Sequence, residues 1–145
     1  MVSAPIFTAA ECRELRATYG PMQLDREGGH LLRKWQSQLY WSMPGRTLAA
    51  AAEQFPDALR NPQVSWWGHH AAFAYDLAGE LPKVAQPLLI LNPDDDLHAH
   101  TQRAAGLLQN GRIQHLPGWG HGFLDLHTDA ARAIVAGFLD DGGAR

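Results

Sequence analysis

The feature that most constrains the fold is an uninterrupted apolar run at residues 88–91, followed closely by three consecutive aspartates at residues 94–96. A strand of a parallel sheet is covered on both faces, so its sequence is a near-continuous apolar run rather than an alternation. Loops at the carboxyl ends of such strands commonly carry the functional side chains of α/β proteins. The sequence therefore predicts a buried parallel strand whose following loop carries carboxylates.

A second strand is predicted at residues 112–116, and it leads to His121, which has a glycine on each side. Helical patterns at residues 101–108 and 130–139 follow the two strands and complete a βαβα unit with a right-handed crossover. The glycines permit a tight turn and leave room around the imidazole. The predicted fold class is therefore α/β, with an acid and an imidazole at the carboxyl ends of neighbouring parallel strands.

An acid paired with an imidazole is the part of a hydrolytic triad that activates the nucleophile. The imidazole pKa is near neutrality, so His121 can remove a proton from a nucleophile and return it to a leaving group. The acid fixes the tautomer of the imidazole and stabilises its positive form. Asp96, 25 positions before His121, is the predicted acid, with Asp94 and Asp95 as alternatives.

The segment from about residue 81 to residue 139 resembles the C-terminal part of the α/β-hydrolase fold family. In that family a Pro-apolar-apolar-apolar strand precedes the catalytic acid, a second strand leads to Gly-x-Gly-His, and an amphipathic helix closes the domain. The resemblance implies that Asp96 is the orienting acid and His121 the general base. This chain departs from the family pattern at Pro93, where glycine is usual, which keeps the neighbouring aspartates open as alternatives.

The first half of the chain is predicted to be helical, with helices at residues 9–19, 30–41, 47–55 and 63–77. Thr8 and Glu11 have the spacing of a capping box at the start of the first helix. The resemblance implies that residues 1–82 are the helical lid that such hydrolases insert. It also implies that residues 83–145 are the C-terminal βαβα of the hydrolase sheet.

Aromatic residues in the predicted lid and beside His121 indicate an apolar substrate site. Trp66 and Trp67 belong to the lid, and Trp119 is two positions before the histidine. An apolar wall favours a substrate with a hydrophobic group. The expected reaction is hydrolysis of an ester-like or related bond in a small hydrophobic molecule, with no cofactor or resident metal.

A nucleophile is missing from this pattern. The four serines at positions 3, 37, 42 and 65 all lack the Gly-x-Ser-x-Gly context of a nucleophile elbow. Cys12 is in a capped helix, where a structural role is expected. The chain therefore resembles the second half of a hydrolase and is expected to be inactive alone. The strand at residues 88–91 would then have a bare apolar edge, which predicts association with the missing half or with a second copy.

Two other interpretations remain open. The sequence Asp96-Leu97-His98-Ala99-His100 resembles the D-x-H-x-H motif of metal-dependent hydrolases, and an extended H-x-H pair would direct both imidazoles to one metal ion. Alternatively, the chain is a helical interaction module. Its partner surface would contain Trp35, Trp41, Trp66 and Trp67.

Composition excludes several classes of partner. The formal net charge is -3 and no run of Lys or Arg occurs, so nucleic acid and anionic membrane surfaces are not expected to bind. Hydrophobic residues make up 46% of the chain, but no apolar run reaches the ~18 residues of a membrane span. The single cysteine and the absence of a signal-peptide pattern predict a cytoplasmic location.

Overall fold

A computed structural model of the chain describes residues 1–142. Two compact units are present, a helical unit of Phe7–Tyr75 and a sheet unit of Met1–Ile6 with Asp76–Arg145. The last three positions of the predicted C-terminal segment, residues 143–145, lie outside the described residues. The units divide the chain after Ile6 and after Tyr75, whereas the sequence predicted a single boundary near residue 82.

The helical unit contains four helices: α1 at Ala9–Thr18, α2 at Gly29–Trp41, α3 at Leu48–Ala58 and α4 at Trp67–Ala74. The predicted capping box at the start of α1 is confirmed. The Thr8 hydroxyl accepts from the Glu11 backbone N–H at 3.2 Å, and the Glu11 carboxylate accepts from the Thr8 backbone N–H at 2.7 Å. These bonds satisfy two backbone donors that the first helical turn leaves unpaired.

The start of α2 is stabilised from outside the helix. Gly28 precedes it with a φ of 77° and provides no side-chain cap. The Asp25 carboxylate instead accepts from the backbone N–H groups of Gly29 at 2.7 Å and His30 at 2.9 Å. Hydrogen bonding, first of all from the Gly29 N–H, lowers the pKa of Asp25 below its usual value. A carboxylate here also interacts favourably with the positive end of the helix dipole.

Two helices of this unit have bounds that differ from the predicted ones. Helix α3 continues through Pro56 to Ala58, because a proline near the end of a helix removes only one hydrogen bond from the helix. Helix α4 covers Trp67–Ala74 and not residues 63–77, because the chain before it forms turns and Tyr75 is extended, with a ψ of 129°.

The sheet unit alternates helices with two strands. Its elements are α5 at Leu77–Glu80, β1 at Leu88–Pro93, α6 at His98–Gln102, β2 at Gly111–Leu116, α7 at Phe123–Leu126 and α8 at Thr128–Asp140. Strands β1 and β2 are parallel, with Leu88 opposite Gly111 and Pro93 opposite Leu116. The predicted parallel strand pair is confirmed. The helix predicted at residues 101–108 is instead α6 followed by a short 3-10 turn.

Strand β1 forms the centre of the core of the sheet unit. Ile90 is completely buried, and Leu89 and Leu91 on either side of it are buried as well, as expected for a strand that is covered on both faces. Ile90 clusters with buried residues from the other elements of the unit, namely Ala4, Leu81 and Ala104. The longest described helices have 13 residues, so no helix in residues 1–142 is long and apolar enough to cross a membrane.

The expectation of a bare edge on β1 is wrong in part, because the start of the chain lies along it. Val2 forms a parallel bridge with Leu91. The Leu91 N–H donates to the Met1 carbonyl at 2.9 Å, and the Ser3 N–H donates to the Leu91 carbonyl at 2.9 Å. The Ala4 N–H then donates to the buried Thr101 hydroxyl at 3.1 Å. This segment satisfies strand-edge groups that the sequence predicted to be open.

Candidate active site

The site is formed by the two loops that follow β1 and β2. The strands end opposite each other, at Pro93 and Leu116, so both loops begin at the same end of the sheet. Two hydrogen bonds join the loops: the Asp94 N–H donates to the Trp119 carbonyl at 2.6 Å, and the Gly118 N–H donates to the Asp94 carboxylate at 2.7 Å. Gly118 has a φ of 77°, a conformation that favours glycine. The two loops therefore hold each other in place.

These loops bring Asp96 and His121 together. The distance between Asp96 Oδ1 and His121 Nε2 is 2.7 Å, and both side chains are 42% exposed. At that exposure the pair contributes little to folding stability, about 0–1 kcal/mol. Its chemical consequence is larger, because a carboxylate at this distance fixes the orientation of the ring.

The nitrogen that faces the acid is Nε2. In the Ser-His-Asp arrangement the acid accepts from Nδ1–H, and Nε2 exchanges the proton with the nucleophile. With Asp96 as the acceptor, a neutral His121 ring would carry its proton on Nε2, the nitrogen opposite to the one that faces the acid in that arrangement. Sequence order predicts the pairing of acid and histidine, but only the loop geometry selects the nitrogen.

The two alternative acids have backbone partners. The Asp94 carboxylate accepts the Gly118 N–H and lies 3.4 Å from His98 Nδ1. Asp95 Oδ1 accepts the Leu97 N–H at 2.9 Å, which forms the turn that leads into α6. Burial raises the pKa of Asp95 above its usual value, against a smaller lowering by that hydrogen bond. The Asp96 carboxylate, in turn, hydrogen-bonds the His121 ring.

Asp95 nevertheless belongs to the same cluster. One carboxylate oxygen each from Asp95 and Asp96 and a ring nitrogen of His121 all lie within 4.8 Å of one another. Two carboxylates and an imidazole are ligand types suited to Zn²⁺ or Mn²⁺. This three-residue donor set was not predicted, because three adjacent aspartates do not reveal which of them face one side.

The metal arrangement predicted for Asp96, His98 and His100 is wrong. Both histidines lie in α6, where side chains two positions apart point in different directions, so the extended H-x-H geometry does not form. His98 is also engaged elsewhere. Its Nδ1 lies 2.9 Å from the Pro93 carbonyl, and its Nε2 lies 2.8 Å from the Gln102 side chain.

The three tryptophans predicted to bind substrate belong to different units. Trp119 is in the sheet unit and stacks on His127, with ring centroids 4.4 Å apart and an interplanar angle of 14°. Trp66 and Trp67 are in the helical unit, where their rings meet edge to face at 6.2 Å. Trp119 therefore lies beside the Asp96–His121 loops, in the same unit.

The described elements form an α/β fold that contains a parallel strand pair. The solved structure of MenH from S. aureus, an α/β-hydrolase family member, is similar, with a TM-score of 0.51 and 16% sequence identity. The match covers 97% of this chain and 56% of the MenH chain, so this chain spans little more than half the length of that protein. At this identity the likeness describes the fold. No protein-family model and no curated protein matches the chain.

Proposed function

We propose that this chain is the lid segment and the acid–histidine segment of an α/β hydrolase that cleaves an ester-like bond in a small hydrophobic substrate. The observation that carries the proposal is the 2.7 Å contact between Asp96 and His121, on loops at the carboxyl ends of adjacent parallel strands. The distant likeness to MenH supports the fold on which the proposal depends.

In the proposed reaction, Asp96 holds a proton on Nε2 of His121, and Nδ1 removes the proton of the nucleophile. The same nitrogen then returns that proton to the leaving group, which completes acyl transfer. The serines of this sequence lack the elbow context, so the nucleophile and the oxyanion donors are supplied by residues outside the printed chain. Trp119 forms an apolar wall near the histidine.

The test is turnover of p-nitrophenyl butyrate. The purified 145-residue chain alone is expected to show no turnover that depends on His121. The same chain joined to a segment carrying the nucleophile is expected to be active. In that joined form His121→Ala and Asp96→Asn should each lose about 10³–10⁴-fold in kcat.

His115→Ala, which removes an exposed histidine of β2 whose Nδ1 lies 3.2 Å from the Asn92 amide, is the control; once circular dichroism shows that it is folded, it should stay near the unaltered rate. Near-full activity in both His121→Ala and Asp96→Asn would overturn the proposal. Turnover by the printed chain that disappears in His121→Ala would contradict the external nucleophile.

A metal-dependent hydrolase is a second candidate, supported by the cluster of Asp95, Asp96 and His121 within 4.8 Å. The two candidates differ at Asp95, which is a ligand in one and only forms a turn in the other. Asp95→Asn should abolish turnover and stoichiometric Zn²⁺ or Mn²⁺ binding if the metal candidate is right. It should leave turnover close to that of the unaltered chain if His121 acts as a base.

Association with a partner through β1 also remains a proposal, limited by the Met1–Ser3 segment that already pairs with Leu91. The proposed partner is the missing half of the hydrolase or a second copy of the chain. Light scattering after gel filtration should find the isolated chain oligomeric or aggregated. A monodisperse monomer with a cooperative melting transition would contradict it.

A further inference from the structure

The helical unit contains a cavity of about 410 Å³ that is separate from the Asp96–His121 loops in sequence and is lined only by residues of this unit. Its size is in the range of small-molecule sites. Both polar and aromatic side chains line it. The lining includes Tyr19, Arg33, Lys34, Ser37, Trp66 and His69.

One wall of the cavity carries a positive charge from α2. His30, Lys34 and Ser37 lie at positions i, i+4 and i+7, so they share one face of the helix. Within residues 1–142 the Lys34 ammonium forms no ion pair with a carboxylate. Arg33, by contrast, lies 3.4 Å from the Asp25 carboxylate, which offsets part of its charge. Lys34 is thus the uncompensated cation of the cavity.

Three aromatic rings contribute to the rest of the lining, together with small and polar residues. The Tyr19 ring stacks on His69 at 4.0 Å with an interplanar angle of 19°, and the half-buried Trp66 lies beside them in the lining. His70 Nε2 lies 3.0 Å from the Tyr19 carbonyl, which holds the backbone of this wall. Burial, and then the charges of Lys34 and His70, lower the pKa of His69, so its imidazole is neutral at pH 7.

We propose that this cavity binds a small aromatic carboxylate, with the carboxylate on Lys34 and the Ser37 hydroxyl and the ring against Tyr19 and Trp66. A single uncompensated ammonium matches a monoanion better than a phosphate dianion, which is bound best by several donors or a bidentate arginine. Flat aromatic walls favour a planar ring through stacking and burial of apolar area. This binding is independent of the proposed hydrolysis.

Isothermal titration calorimetry on the full chain tests the proposal, with 2-naphthoate as the probe. Its neutral isostere 2-naphthamide should bind at least about tenfold more weakly, a difference that corresponds to one charge-assisted hydrogen bond. Inorganic phosphate should bind more weakly than 2-naphthoate by a similar factor. Equal affinity for 2-naphthoate and 2-naphthamide, or no binding of 2-naphthoate at millimolar concentration, would overturn the proposal.

The chain offers a matched pair of variants, since it has only two lysines, Lys34 and Lys83. Lys34→Met should weaken 2-naphthoate binding at least about tenfold. Lys83→Met should leave the affinity unchanged, because Lys83 belongs to the sheet unit and pairs with Glu80 at 2.7 Å. Equal loss in both variants, or full affinity in Lys34→Met, would contradict the assignment of Lys34.

Two further measurements separate loss of 2-naphthoate binding from misfolding and from the proposed hydrolysis. Circular dichroism checks that each variant is folded. If Lys34→Met does not fold, the comparison of 2-naphthoate with 2-naphthamide on the unaltered chain decides the proposal. His121→Ala should bind 2-naphthoate with unchanged affinity, so failure of the proposed hydrolysis and failure of this binding site are distinguishable.

Discussion

The two units of this molecule are stabilised in different ways. In the sheet unit, Leu89, Ile90 and Leu91 of β1 are buried in succession. In the described helical unit, by contrast, the buried hydrophobic residues are Met43 and Ala51. The helices there pack largely through partly exposed aromatic pairs, such as Trp35 with Phe55, whose ring centroids are 5.3 Å apart.

This difference has a functional consequence. A strand whose central side chains are buried cannot shift without opening voids, so the loop after β1 is attached to a rigid end. A rigid strand end is suited to holding the 2.7 Å contact between Asp96 and His121. Looser helical packing leaves room for a cavity with polar and aromatic walls, which suits binding more than precise chemistry.

The largest expected loss of stability comes from a charge introduced into the interior of the sheet unit. The buried Asn92 side chain donates to the His98 carbonyl at 3.2 Å. Asn92→Asp directs a carboxylate oxygen at that carbonyl and should lower the free energy of unfolding by about 3–5 kcal/mol, because a fully buried carboxylate is costly even with His115 Nδ1 located 3.2 Å from the replaced amide nitrogen. Asn61→Asp makes the same change at an exposed position of the helical unit and should stay within about 0.5 kcal/mol. Urea unfolding followed by circular dichroism measures both, and similar losses would break the contrast.

The next largest effect comes from the apolar core. Ile90 has no exposed surface, so Ile90→Ala leaves a cavity and should cost roughly 3 kcal/mol. Leu32 of α2 is 58% exposed, and Leu32→Ala should change the stability by less than about 0.5 kcal/mol. If thermal and urea unfolding found Leu32→Ala as costly as Ile90→Ala, the described difference in packing would be wrong.

Two glycines sharpen the comparison of the two units, because replacing them with alanine should change the stability in opposite directions. A Cβ at Gly111 would lie 2.5 Å from the Leu88 carbonyl oxygen on the paired strand, so Gly111→Ala should destabilise by about 1–3 kcal/mol. A Cβ at Gly68 in α4 would meet nothing within 4 Å, so Gly68→Ala should stabilise by about 0.4–1 kcal/mol. The midpoints of urea unfolding decide both signs, and a gain at Gly111 would refute the strand register.

The smallest expected effects on stability are those of pH. The ionised carboxylate of Asp25 in the helical unit stabilises the fold, whereas that of Asp95 in the sheet unit destabilises it. The lowered pKa of Asp25 means that its ionised form stabilises the fold above the usual aspartate pKa, and this contribution is lost as pH falls through the folded pKa. The raised pKa of Asp95 means that its ionised form is unfavourable at neutral pH, and this cost disappears on acidification.

The matching variants are Asp25→Asn, expected to be less stable than the unaltered chain at pH 7, and Asp95→Asn, expected to be more stable. Both differences should shrink as the pH is lowered below about 4, where ordinary aspartates are protonated. Chemical unfolding at pH 7 and at pH 3 measures these four differences. Differences of the same sign at pH 7 would contradict the opposite electrostatic surroundings of the two carboxylates.

The parts of the fold that could be predicted are those with a strong local sequence pattern. Strand β1 has an apolar run between turn residues, and the capping box at Thr8 depends on residues three positions apart. Short helices were harder to predict, because a few residues carry little periodicity. The helix predicted at residues 101–108 begins at His98 instead, where the Asp95 turn directs the chain into α6.

For the candidate site, the sequence by itself determined that Asp96 and His121 follow neighbouring parallel strands, since the positions of strands and loops depend on residues that are close in sequence. Only the tertiary structure decided which nitrogen meets the acid, that Asp94 joins the two loops, and that Met1–Ser3 pairs with β1. The physical reason is the range of the interactions. Capping and strand patterns depend on near neighbours, whereas these contacts join residues that are 24, 25 and about 90 positions apart and form only when the sheet has assembled.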